Sequence, residues 1–282
     1  MGIFYVDGQF VDEDKAVLSV NDMAVLRGYG IFDFMRTYNK KPFYLKAHID
    51  RLYRSADHVG LQVSCTREKL FGIVMETLAR NDYEESNVRI VFTGGISPDS
   101  VTPAHNGKLM VMVTPMHNFP DRWYERGVKI ITSRVERYIP EAKSTNYMNA
   151  VLTLQDAKKA GAVESVYVDR QGRVLEGTTT NIFLLIEDRW VTSDRGILKG
   201  ITRAVVIDLM NEEIELRDLD QGDIDRSEEI LITASNKEVV PVIQVDHRII
   251  GTGKPGEKTR RIMELFKEYT AAYGLDTRAA SA

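Results

Sequence analysis

Val174-Leu175-Glu176-Gly177-Thr178-Thr179-Thr180-Asn181-Ile182-Phe183 decides the fold class, because it sets a strand end, a polar turn and a second strand within one short stretch. Apolar residues on both sides of a glycine and three hydroxyls give that punctuation. Upstream, Ser165–Asp169 reads as a strand that reaches Val174 through the Arg170-Gln171-Gly172 turn. Before it come a strand at Val128–Thr132 and helical periodicity over about Met148–Ala160. Downstream, Thr202–Glu213 and Glu257–Tyr273 read as helices, Ile230–Thr233 as a strand and Asp246-His247 as a hairpin turn. Strands mixed with helices in no strict alternation predict α+β rather than a doubly wound parallel sheet.

The other half of the chain has the same texture. Asp7-Gly8 is a tight-turn pair inside a hairpin spanning Ile3–Val11. Ile31–Tyr38 alternates, with Phe32, Phe34 and Arg36 on one face and Asp33, Met35 and Thr37 on the other. Asn39-Lys40-Lys41-Pro42 turns into a short strand, Lys46–His58 and Thr66–Arg80 are helices, and Val88–Phe92 and Leu109–Val113 are strands. Pro115 and Pro120 bracket short polar residues near His117–Gly127. The expected division is therefore a small N-terminal α/β domain over 1–117, a linker over 118–126 and a larger C-terminal domain over 127–282. A small-residue C-terminal tail is expected to fray.

Composition narrows the function. The 282 residues carry 37 Lys+Arg against 41 Asp+Glu, a formal charge of −4. With scattered cations, that balance gives no footprint for nucleic acid. No apolar run approaches the ~18 residues of a membrane span, and Met1–Tyr5 lacks the start of a secretory signal. Cys65 is the single cysteine and the five histidines lack metal-ligand spacing, so neither a disulfide framework nor a metal is expected. The chain reads as a cytoplasmic, soluble protein.

Three segments combine residues that packing alone explains poorly. Glu141-Ala142-Lys143-Ser144-Thr145-Asn146-Tyr147 puts a lysine just before Ser-Thr-Asn, natural caps for the next helix. A lysine held against folded backbone can serve as a nucleophile; taken alone, a lysine there reads first as an exposed helix start. Glu176 with Gly177 and three threonines fits a polar pocket wall, or a loop whose hydroxyls satisfy their own backbone. Leu198-Lys199-Gly200-Ile201-Thr202-Arg203 opens a helix at Ile201 or Thr202, whose N–H groups suit a phosphate. Thr233-Ala234-Ser235-Asn236, directly after an apolar strand, offers a comparable turn.

Together with His48-Ile49-Asp50-Arg51-Leu52-Tyr53-Arg54-Ser55-Ala56, these segments resemble the class IV, fold type IV pyridoxal 5′-phosphate (PLP) enzymes. That family includes branched-chain aminotransferases, D-amino acid transaminases and aminodeoxychorismate lyases. The resemblance runs from the Asp7-Gly8 hairpin to Gly256-Glu257-Lys258-Thr259. It implies a two-domain fold whose larger domain binds PLP, an active site between the domains, and a homodimer whose neighbouring subunit lends a loop. Lys143 falls where the family forms its Schiff base, and Glu176 where a carboxylate pairs with the pyridine nitrogen. Arg51 matches the arginine that grips the phosphate, and Ile201 and Thr202 the helix start that adds to that grip. Ala234 and Ser235 stand at the turn completing the phosphate and carboxylate sites, and Tyr147 beside the phenolic oxygen. On residue type alone, Arg51 also reads as a solvated charge and Tyr147 as core packing.

For the substrate, Arg89 in Asn87-Val88-Arg89-Ile90-Val91 matches an arginine of the branched-chain enzymes. Arg36 matches the basic residue closing their Phe-Glu-Gly-Ile-Arg stretch, here Phe32-Asp33-Phe34-Met35-Arg36. Asn87 stands where a tyrosine is expected, and Phe34, beside Phe32, replaces a glycine and narrows the apolar pocket. The D-amino acid branch carries Arg-x-His after Ser-Pro, whereas this chain reads Ser97-Pro98-Asp99-Ser100-Val101. His48–Ala56 and Leu198–Thr202 nevertheless look more like that branch, in which Arg27 and Arg89 would bind the carboxylate. The expectation is a PLP-dependent aminotransferase acting on a branched-chain or other apolar amino acid and a 2-oxo acid such as 2-oxoglutarate. A D-amino acid transaminase of atypical pocket, an aminodeoxychorismate lyase and a PLP-binding protein without turnover are the alternatives.

Overall fold

The computed structural model describes residues 2–275; the small-residue tail lies outside them. Contacts divide the chain into two compact units. The first runs to His117 and takes in Ala142–Asn146 and the described residues from Tyr269 onward; the second holds Asn118–Glu141 and Tyr147–Glu268.

In the first unit, Asp7 and Gly8 adopt positive φ and turn β1 (Ile3–Val6) into β2 (Gln9–Asp12), as the sequence predicts. There follow α1 (Met23–Arg27), β3 (Gly30–Tyr38), β4 (Lys41–Pro42), α2 (Leu45–Val59), α3 (Arg67–Ala79), β5 (Ser86–Thr93) and β6 (Leu109–Pro115). The six strands form one antiparallel sheet in the order β2-β1-β6-β5-β3-β4. Alternation along β3 buries Ile31 and Met35 with Leu45, Ile49 and Leu52 of α2 and with Leu70, Ile73 and Val74 of α3. The C-terminal residues join this unit through polar contacts that the sequence did not foreshadow. The Tyr273 hydroxyl accepts from the Tyr44 N–H at 2.8 Å, and the Asn39 amide donates to the Ala271 and Tyr273 carbonyls.

In the second unit, the stretch read as a linker carries α4 (Arg122–Arg126). Its aromatic residues explain this: Phe119 stacks on Trp123 at 4.8 Å, and Trp123 and Tyr124 pack against the unit's core. Then come β7 (Val128–Arg134), α5 (Met148–Lys159), β8 (Glu164–Val168), β9 (Arg173–Gly177), β10 (Asn181–Ile186), β11 (Arg189–Thr192) and α6 (Ile201–Met210). The chain continues through β12 (Glu215–Leu216), β13 (Leu219–Asp220), α7 (Gln221–Arg226), β14 (Glu229–Ala234), β15 (Glu238–Val245), β16 (Arg248–Ile249) and α8 (Glu257–Ala271). A ten-stranded mixed sheet runs β12-β11-β10-β14-β15-β7-β8-β9-β13, with β16 on β15. Only β11–β12, β15–β7 and β7–β8 pair in parallel among the described residues, so the molecule is α+β as expected. No helix among the described residues is long and apolar enough to cross a membrane.

Candidate active site

Lys143 is fixed by its backbone. The Phe32 N–H donates to the Lys143 carbonyl at 2.9 Å, the Thr145 N–H to the Gly30 carbonyl at 2.8 Å, and Ile31 faces Ser144 in an antiparallel bridge. The Lys143 N–H in turn donates to Ser55 Oγ at 3.0 Å. Residues 143–145 therefore extend the sheet beside β3. This corrects the capping expectation: Tyr147 is the N-cap of α5, without a side-chain cap, and Thr145 Oγ1 donates instead to the Gly28 carbonyl. Gly30 permits this approach, since a Cβ there would come within 3.1 Å of Thr145 Oγ1 and of the Phe92 carbonyl oxygen. Lys143 Nζ, half-buried, lies 4.7 Å from the centre of the Phe32 ring.

Beneath that lysine, α2 turns three polar residues inward. His48, Arg51 and Ser55 share the buried stripe with Ile49 and Leu52. Asp33 Oδ1 accepts from His48 Nδ1 at 2.7 Å and Arg51 Nη2 at 2.8 Å, while Oδ2 accepts from Arg51 Nε at 2.9 Å. Burial pushes the Asp33 carboxyl up, but Arg51 and His48 more than reverse this and hold it well below the usual range. His48 is pushed down, chiefly by burial, against the pull of Asp33 and with help from the charges of Arg51 and Lys143. The imidazole is thus neutral, with its proton assigned to Nδ1 by the Asp33 bond. Arg51 is no solvated surface charge; it is 5 % exposed.

Four of the expected substrate contacts also belong to this unit. Phe34 stands opposite Arg89 across β3 and β5, so Phe32, Phe34, Arg36 and Arg89 share one face of the sheet. Arg89 is exposed, 5.3 Å from the Phe32 ring centre and 5.4 Å from that of Phe34. Arg36 lies 4.3 Å from the Tyr38 ring centre. Arg27 stands apart in role: exposed at the end of α1, it donates to the Leu26 carbonyl of its own helix at 2.9 Å.

In the second unit, Glu176 is 6 % exposed near the end of β9. Its Oε1 accepts from Arg137 Nε at 3.0 Å and Nη2 at 2.6 Å, and Oε2 accepts from the Leu198 N–H at 3.0 Å. Arg137 was missed by sequence reasoning, since nothing in Val135-Glu136-Arg137-Tyr138 distinguishes it from a surface arginine. Ile201 and Thr202 open α6 behind Gly200, and no side chain caps those first N–H groups. Ala234 ends β14, and Ser235 begins the turn into β15. Tyr147, half-buried, begins α5. The threonine turn departs from a pocket wall, because the Thr178 and Thr179 hydroxyls both donate inward to Glu164.

Taken unit by unit, these donors suit the parts of a phosphorylated pyridine. Arg203, 5 % exposed in the first turn of α6, donates to the Ser193 carbonyl at 3.1 Å. No carboxylate among the described residues lies within ion-pair distance of it. A buried cation beside uncapped helix N–H groups calls for an anion. Gly200 keeps the entry tight, since a Cβ there would fall 2.0 Å from Asn181 Oδ1. A buried carboxylate at Glu176 suits a protonated ring nitrogen, and a half-buried amine at Lys143 suits an aldehyde.

The comparisons with known proteins agree. Residues 30–245 match the family model described as amino-transferase class IV. A Methanocaldococcus jannaschii protein, provisionally named a branched-chain-amino-acid aminotransferase, is 38% identical over 96% of this chain and 97% of its own. The D-alanine aminotransferase of Staphylococcus epidermidis is 28% identical, covering 96% of this chain and 99% of its own. Among solved structures, the T.th. branched-chain amino acid aminotransferase with pyridoxamine 5′-phosphate superposes with a TM-score of 0.91 at 28% identity, over 96% of this chain and 94% of that one. The chain belongs to the class IV aminotransferases, and is accordingly a fold type IV, PLP-dependent transaminase.

Proposed function

We propose that the protein moves the amino group of a branched-chain or other apolar amino acid to a 2-oxo acid such as 2-oxoglutarate, as a cytoplasmic homodimer. The observation that carries this reading is Arg89. Its exposed guanidinium, flanked by Phe32 and Phe34, offers a carboxylate a counter-charge beside apolar walls. The loop after Pro98 supports it too. Asp99 accepts from Ser97 Oγ at 2.8 Å, from the Val101 N–H at 2.9 Å and from the Thr102 N–H at 2.7 Å. An acid locked in its own turn thus replaces the Arg-x-His of the D-amino acid branch.

When bound, PLP supplies an aldehyde and a ring that withdraws electrons from the amino acid's Cα. Arg51, Ile201, Thr202, Ala234 and Ser235 would hold its phosphate, Glu176 its ring nitrogen and Tyr147 its phenolic oxygen. The Glu176 carboxylate would keep a proton on that nitrogen, with Arg137 beside it as counter-charge. Lys143 Nζ would take the proton from the substrate Cα as a general base and, as an acid, deliver it to the carbon of the cofactor's aldehyde group.

Panels of D- and L-amino acids with 2-oxoglutarate as acceptor test the reading. L-leucine, L-isoleucine and L-valine should show the highest kcat/KM. Preference for D-alanine would replace this reading with D-amino acid transamination, and pyruvate release from aminodeoxychorismate would replace it with the lyase. Bound PLP without amino transfer from any substrate would leave a carrier. Lys143→Ala should abolish turnover and the visible band of the bound cofactor; multiple turnovers by that variant would contradict its role.

A further inference from the structure

Glu164 is fully buried at the start of β8 and collects donors from two separate turns. Its Oε1 accepts from the Ser165 N–H at 2.9 Å, from the Thr178 N–H at 3.1 Å and from the Thr178 hydroxyl. Its Oε2 accepts from Thr179 Oγ1 at 2.9 Å and from Lys237 Nζ at 3.4 Å. Lys237 Nζ also donates to Thr179 Oγ1. Lys237 is itself 7 % exposed, in the turn between β14 and β15, and its carbonyl accepts from the Tyr124 hydroxyl at 3.2 Å.

The two turns are neighbours by register. Asn181, which opens β10, pairs with Thr233 near the end of β14. The Gly177–Thr180 turn and the Ser235–Lys237 turn therefore sit at the same end of adjacent strands. Gly177 shows how closely the first turn is seated: a Cβ there would lie 3.0 Å from Glu164 Cγ and 2.1 Å from Thr180 Oγ1. A buried ion pair is a poor device for stability alone, because apolar residues of similar volume often hold a fold as well or better. It does fix geometry, since each end is committed to named donors and acceptors.

We propose that Lys237 and Glu164 form a positioning pair that sets the Thr233–Lys237 turn against the Gly177–Thr180 turn, so that Ala234 and Ser235 meet the cofactor phosphate and the substrate carboxylate in register. The proposal rests on the roles given above to Ala234 and Ser235. Neither member of the pair touches the reacting atoms. The pair acts through the two turns.

The test compares the full-length wild type with Lys237→Met, which keeps length but removes the charge, and with the doubly neutral Glu164→Gln/Lys237→Met. Amide hydrogen exchange is followed over 177–180 and 233–238 without cofactor, and PLP retention by dialysis. In Lys237→Met, exchange in both turns should quicken, PLP retention should weaken about tenfold, and amino-acid KM should rise while kcat stays within about twofold. The double variant should recover thermal stability without recovering retention. Unchanged exchange and retention in Lys237→Met would overturn the proposal. So would a double variant that recovers retention together with stability, because the pair would then serve folding only. If Lys237→Met does not fold, Thr179→Val, which removes the hydroxyl joining the pair, takes its place: quickened exchange with weakened retention supports the pair, and no change in either overturns it. A wild type that binds no PLP or transfers no amino group would defeat the functional reading instead, and the exchange measurement would still decide the pair.

Discussion

Among the buried carboxylates that pair with arginine, Asp33 in the first unit and Glu176 in the second differ in what holds the arginine. Asp33 faces Arg51 and His48 from a helix packed over its own strand, and the Arg51 side chain is 6% exposed. Glu176 faces Arg137, whose side chain is 22% exposed and belongs to the irregular segment between β7 and α5. The acid is buried in both. In the first pair, regular structure on both sides leaves little room for adjustment, whereas in the second a loop supplies the counter-charge. For the role proposed for Glu176, meeting a ligand's ring proton, a partner that can yield is the better fit.

That contrast can be broken most decisively at Arg51. Arg51→Ala leaves Asp33 charged and sealed, and should destabilise the protein by roughly 3–5 kcal/mol in denaturant titration, besides loosening PLP. A loss no greater than that of an exposed ion pair would show that the first cluster is not a lock. Next in size, Glu176→Gln should slow the amino-transfer half-reaction about 100-fold in stopped-flow absorbance, with the melting temperature little changed. Arg137→Ala should cost about 1–2 kcal/mol of stability, visibly less than Arg51→Ala, because its site can admit water. Equal losses for the two arginines would erase the distinction between the pairs.

The smallest effect is one of pH. Burial holds His48 below the ordinary imidazole value of 6.5, so its neutral form belongs to the folded state. A depressed value contributes stability that is present above the unfolded pKa and lost as pH falls. Melting temperature should therefore drop as pH is lowered below about 6.5, and His48→Asn should flatten that slope. Asp33, also held low, adds a further loss only at more acidic pH, in the carboxylate range. An unchanged slope in His48→Asn would place the titration elsewhere.

Local pattern carried much of the fold, and almost none of the long-range polar wiring. Alternation in Ile31–Tyr38 announced β3 and the split between its two faces, and Asp7-Gly8 announced the first hairpin, because both depend on neighbours in sequence. The two-residue strands β12 and β13 were not read, as their pairing partners in β11 and β9 lie far back along the chain; β11, one short turn after β10, and the short helix α7 were not read either. Lys143, Glu176 and Arg51 stood out through motif resemblance. That Arg51 would be buried against Asp33 followed from neither helix periodicity nor composition, since a charged residue in an apolar stripe reads as an interruption. Arg137 and Lys237 left no signal at all. Each owes its place to an acid 39 and 73 residues away, respectively.

The lysine-bearing segment also does something for the sheet it joins. Along Gly30–Phe32, β3 is paired with β5 on one side, and on the other only 143–145 engage its backbone among the described residues. Without that cover, a row of unsatisfied amides and carbonyls beside Ile31 and Phe32 would be open to strand addition by another chain. Substitutions that loosen the segment around Lys143 should therefore promote self-association and precipitation as well as loss of turnover. In this fold, guarding against aggregation and presenting the amine proposed to react fall to the same few peptide groups.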